Sequence, residues 1–83
     1  MADGCWDKPI TFETMNPGKF RTITTTAEAA SILVTQWPLR TGRAYRKAHL
    51  TCLSVLEGNG DPETAREAFL KAAQEARVFV REA

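Results

Sequence analysis

Eighty-three residues make one domain, and a chain this short buries only about 60–65% of the surface it exposes when unfolded. A composition of 43% hydrophobic and 25% charged residues excludes the disordered, collagen-like and coiled-coil classes. A net charge of +1 excludes a global pull toward nucleic acid or membrane, and no apolar run approaches the ~20 residues of a bilayer span.

Residues 1–8 read as a flexible leader and residues 9–83 as the single domain. Trp6 is the one large apolar group of the leader, and so the group that would pin it to a core. The leader lacks the basic and apolar regions of a signal peptide, which predicts a cytoplasmic protein. Cys5 and Cys52 are too few for a disulfide scaffold and read as free thiols in a reducing compartment.

Ile10 to Thr14 alternates Ile10 and Phe12 with Thr11 and Glu13, a strand pattern. Asn16-Pro17-Gly18 predicts a type II turn, with Pro17 presetting φ and Gly18 taking the positive φ that follows. A second strand, Phe20 to Thr25, completes a hairpin. Phe20 and Ile23 have opposite parity, which predicts a bulge or an early exit there.

Thr25 and Glu28 fit a capping box at the start of a first helix running to Gln36 or Trp37, before Pro38. Its buried stripe is predicted as Ala30, Leu33, Val34 and Trp37. Thr41 caps a second helix ending at Glu57 and Gly58, with Tyr45, Ala48, His49, Cys52, Val55 and Leu56 inward. Asp61 and Pro62 open a third helix with an alanine-rich stripe: Ala65, Ala68, Phe69, Ala72, Ala73 and Ala76. The apolar run Val78 to Val80 either extends the third helix by a turn or forms a short strand, and the strand is favoured because a lone hairpin is marginal in water. The fold class is therefore α+β, a hairpin joined by a short C-terminal strand and packed against three amphipathic helices.

The residues Trp37-Pro38, Gly42, Tyr45, Ala48, Cys52, Leu56-Glu57-Gly58, Ala65-Arg66, Phe69 and Ala72-Ala73 carry a resemblance. The chain resembles a family of short alphaproteobacterial proteins, common in rhizobia, classed as domain of unknown function 982. The similarity covers nearly the whole chain, most strongly Thr25 to Val80. It implies a small cytoplasmic bacterial protein and transfers no catalytic residue. The family carries a glycine after its third helix, where this chain has Arg77.

The sharpest local feature is basic: Arg40, Arg43, Arg46 and Lys47 with no acid among them. Free amides at a helix start plus arginine forks suit phosphate or carboxylate, so this segment is a candidate anion or partner site. The plainer reading is a solvated face whose long stems cover apolar surface. A helix-turn-helix on the second and third helices is disfavoured, because the third helix carries Glu63, Glu67 and Glu75. His49 and Cys52 share a helix face, but one histidine and two distant cysteines do not make a zinc site. Leu50 and Leu70 fall off their stripes and are candidate apolar contacts for a protein partner or a weak homodimer. No cofactor, metal or catalytic signature is present. The expectation is a small non-enzymatic accessory or interaction protein. The alternative is an anion or nucleic-acid binding module on the basic segment.

Overall fold

The computed structural model describes residues 4–14, 16–38 and 41–82. In chain order its elements are β1 (Cys5–Glu13), β2 (Phe20–Thr25), α1 (Thr26–Thr35), α2 (Arg43–Leu56), α3 (Pro62–Ala76) and β3 (Val80–Glu82). The sheet is antiparallel in the order β2-β1-β3, so the hairpin gains its third strand on the β1 side. α1 packs on β2 and α3 on β1, α2 packs against both of these helices, and the fold is α+β.

The turn forms as the sequence dictates. Lys19 N–H donates to Asn16 C=O at 3.1 Å, with Pro17 between them and Gly18 at φ 83°. No bulge interrupts Phe20 to Ile23, which pair in step with Glu13 to Ile10. Their opposite parity has a simpler cause: Ile23 points into the core and Phe20 points out. The irregularity lies on β1 instead, between Cys5 and Ile10.

The first eight residues are not a loose leader over their described part. β1 begins at Cys5, and Trp6 is buried with its indole N–H donating to Thr26 Oγ1 at 2.9 Å. The same Thr26 hydroxyl donates to Gly4 C=O at 3.0 Å. A buried hydroxyl thus fastens the chain's first strand to the first turn of α1.

The core is built on Phe69, which is fully buried. Its ring lies 5.0 Å from Trp37, 6.1 Å from Trp6 and 6.2 Å from Phe12 between centroids. These spacings suit tilted and edge contacts between aromatic quadrupoles. One residue from each of β1's two halves, the α1 exit and α3 therefore meet at one point. Ala48 and Cys52 of α2, with Ala65, Ala72 and Ala73 of α3, complete the core beside it.

Three helix ends depart from expectation. α1 stops at Thr35, and its buried arc is Ala29, Ala30, Ile32 and Leu33. Val34 lies past the edge of that arc and is 46% exposed. Trp37 reaches the core from beyond the helix. At α1's start Thr25 Oγ1 accepts from Glu28 N–H at 3.1 Å, but Glu28 reaches back to Thr24 rather than Thr25. Thr25 is still the last residue of β2, paired with Cys5.

α2 is capped at Gly42, not Thr41, and no side chain of its own supplies the cap. α3 is capped by Asp61 with Pro62 in the first turn, as expected.

The ends of α2 and α3 follow one pattern. Gly58 N–H donates to Val55 C=O and Asn59 N–H to Ser54 C=O; Arg77 N–H donates to Gln74 C=O and Val78 N–H to Ala73 C=O. Both are Schellman closures with a left-handed residue, Gly58 at φ 90° in one and Arg77 at φ 57° in the other. Because Val78 still belongs to the helix closure, the third strand starts at Val80 rather than Val78. Phe79 contributes one bond beforehand, accepting from Glu13 N–H at 2.9 Å.

Candidate functional site

Three surfaces collect the side chains with chemical potential. The first is the basic start of α2, where Arg40 lies outside the described residues. Arg43 and Lys47 line a groove of about 410 Å³ between α2 and α3, facing Lys71, Glu67 and Glu75. Arg46 is exposed and does not line it. The helix-start amides that would hold an anion already hold one. Glu75 of α3 accepts from Ala44 N–H at 3.2 Å and from Tyr45 N–H at 3.1 Å. A carboxylate at a helix N-terminus satisfies orphan donors and complements the macrodipole. Glu75 therefore does from outside the helix what Thr41 was expected to do from within. A Cβ at position 42 would collide with that carboxylate, which is why the cap residue is glycine.

His49 and Cys52 do not form a reactive pair. Cys52 is fully buried, and burial pushes its thiol up to about 11. A thiol so placed stays protonated and inert. The His49 ring stacks on Tyr45 at 6.2 Å and 27°. Tyr45 in turn donates its hydroxyl to Leu33 C=O at 3.0 Å, tying α2 to α1. Among the described residues no three His, Cys, Asp or Glu side chains gather to hold a metal, and no helix is long and apolar enough to cross a membrane.

The two leucines part company. Leu50 is 58% exposed, whereas Leu70 is half-buried and packed against the core. α3 touches both the sheet and α2, so its apolar arc is wider than one stripe and takes Leu70 in.

The second surface was not foreseen: the outer face of the sheet. Phe20 of β2 and Phe79 before β3 flank Glu13 of β1, with rings 6.2 Å apart at 80°. They are 45% and 56% exposed. Arg81 lies over the Phe20 ring at 5.8 Å, and Thr11 and Thr22 share a hydroxyl hydrogen bond at 3.0 Å beside it. The carboxylate of Glu13 is engaged at the turn, accepting from Gly18 N–H at 3.0 Å. The parity of Phe20 was the sequence signal for this face.

The third surface is a cleft of about 290 Å³ where the end of β1 meets the exits of α1 and α3. Trp37 and Arg77 are among its walls. It is invisible in the sequence because its walls come from three separate segments.

With the fold and its surfaces in view, the family can be stated. The pattern of the family described as "Protein of unknown function (DUF982)" matches residues 8–80, and the chain belongs to that family. None of the curated proteins and none of the solved structures matches the chain.

Proposed function

We propose that this protein is a non-enzymatic interaction module of the cytoplasm that engages a protein partner through the outer face of its sheet. The observation that carries this reading is the pair Phe20 and Phe79, half exposed and packed on each other with the Arg81 guanidinium over the Phe20 ring. Aromatic side chains in the open are typical anchors of protein interfaces, and Arg is the cation most enriched beside them. Arg81 lies beside the Phe20 ring on this face, so the matching partner carries an apolar anchor with an acid opposite Arg81. The free thiols Cys5 and Cys52 fit a reducing compartment. The inert Cys52 and stacked His49 fit a protein without a nucleophile.

The groove between α2 and α3 supports a second reading. Lys71 joins Arg43 and Lys47 there, and a phosphate or carboxylate ligand would meet three cations. Glu67 and Glu75 on the same walls, with Glu75 filling the helix start, weigh against it.

One comparison separates the two. Native-cell affinity capture is run with the wild type, with F20S/F79S and with R43E/K47E. The sheet-face reading expects a captured protein to be lost from the first double variant and kept by the second. The reverse result overturns it in favour of the groove. Sedimentation of the purified protein then tells a second copy from a foreign partner.

A further inference from the structure

The sheet's two edges differ. β3 is an edge of three residues, and Arg66 holds its Glu82 carboxylate at 2.8 Å. β2 is an edge of six residues, Phe20–Thr25, with no proline in it. Proteins blunt long open edges, because unpaired backbone groups there accept another strand.

The hydrogen bonds fix which groups of β2 are open. Thr14 N–H donates to Lys19 C=O at 2.8 Å, Glu13 N–H donates to Phe79 C=O on the other side of β1, and Thr24 N–H donates to Glu28 at 2.8 Å. Antiparallel ladders alternate, so Arg21 and Ile23 bond to β1 while Phe20, Thr22 and Thr24 turn amide and carbonyl outward. Glu28 closes the Thr24 amide. No described group does the same for Phe20 or Thr22. One end of the edge is therefore shut, and the other is open beside the exposed Phe20 ring.

The same alternation sorts the side chains. Phe20 and Thr22 stand on the outer face of the sheet. Lys19 and Arg21 stand on the opposite side of the strand, where Arg21 is in register with Phe12. All are exposed, and among the described residues neither cation pairs with an acid. An incoming strand thus meets a ring and a threonine on one face and cations at alternate positions on the other. A second copy related by a two-fold does not fit. Using both open residues would set Phe20 against the copy's Thr22, and so Arg21 directly opposite its own counterpart.

We propose that residues 20–23 of β2 take up an extended segment of the partner as an added strand in which apolar residues alternate with acids. Main-chain bonds to Phe20 and Thr22 hold it, its apolar residues lie beside the Phe20 ring, and its acids face Lys19 and Arg21. This mode of docking rests on the sheet-face reading, because Phe20 belongs to both surfaces.

The test uses 15N-labelled protein and a terminally blocked peptide of about six alternating valine and glutamate residues, a strand's usual length. One control replaces glutamate by lysine, and a second keeps the composition but puts valines and glutamates in separate blocks. Saturable downfield movement of the Phe20 and Thr22 amide signals, with slowed exchange against water, is the expected result. Arg21 and Ile23, already bonded to β1, should keep their exchange rates. Both controls should bind at least about tenfold more weakly, and R21E should weaken the glutamate peptide by about tenfold. T22P removes an outward amide that the ladder does not use, so it should abolish peptide binding with the Trp6 and Trp37 indole signals in place. Should T22P disturb the fold, R21E decides, and unchanged affinity there overturns the proposal. Phe20 and Thr22 amides unmoved to ~10 mM peptide also overturn it, as does equal binding of the glutamate and lysine peptides. In native-cell capture, a protein lost from F20S/F79S but kept by T22P overturns this mode of docking and leaves the sheet-face reading intact. One kept by F20S/F79S overturns that reading itself.

Discussion

Glu28 shows how much a single exposed side chain does at a junction of two elements. Its carboxylate accepts from Thr24 N–H at 2.8 Å and from the Thr24 hydroxyl at 3.1 Å. The Thr24 amide is the main reason its pKa lies below the ordinary glutamate value, with the nearby Arg21 charge a lesser one. The folded state thus releases this proton more readily than the unfolded chain does. The stability it adds is whole above the unfolded value of about 4.3 and is lost as pH falls through the lowered folded value. For an exposed cap, screened by solvent, that amounts to a few tenths to about 1 kcal/mol. Urea titrations of the wild type and E28Q should differ by this amount at pH 7 and draw together as pH falls through the lowered folded value. A difference that persists below that value would mean the side chain acts through packing instead.

Among the elements, α2 depends on a neighbour for its beginning. Glu75 makes the two capping bonds, and Gly42 makes room for them. G42A and E75A should each cost about 1–2 kcal/mol, because each removes the same cap. The double variant should cost little more than either alone, a non-additivity that a denaturation cycle measures directly. Simple addition would show that the two residues act apart. This arrangement also marks where the sequence stops being legible. Asp61 and Thr25 cap through residues two or three positions on, and such local partners can be read from spacing. Glu75 caps across 31 and 30 positions, and only the pairing of α2 with α3 makes it a neighbour. The type II turn, the helix count and the third strand were legible for the same local reasons. The start of β3 was misjudged by two residues because Arg77 adopts a glycine's conformation and prolongs the helix closure. Of the candidate site residues, Arg43 and Lys47 share a groove, yet the amides beneath them are already taken. The outer phenylalanines were legible only as a parity clash, since a strand's outward face leaves no core contact to predict.

For the whole molecule, Arg66 is the fastening between layers. It is 4% exposed, its Nε donates to Lys8 C=O at 2.7 Å, and its Nη2 pairs with Glu82 at 2.8 Å. A weaker contact reaches Glu63 at 3.5 Å. One side chain of α3 thereby holds the irregular part of β1 and the end of β3. Hydrogen bonds to a charged group contribute about 1.5–3 kcal/mol, so R66A should destabilise by roughly 2–4 kcal/mol once the lost packing is added. In a domain of this size that is a large share of a total stability of about 5–10 kcal/mol. Chemical denaturation of R66A and E82A would check it, with E82A costing markedly less because Glu82 is exposed. Equal losses would place the whole effect in the ion pair.

The placement of β1 in the middle of the sheet has a consequence for synthesis. β1 leaves the ribosome before every other element described, and β3 and Glu82, which complete its second edge and the Arg66 fastening, follow only after the three helices. Until then the central strand has one open side, with unpaired amides and carbonyls available to any other strand. The nascent chain is most prone to pair with a neighbouring copy between the emergence of β1 and that of β3, and it loses that liability once β3 docks.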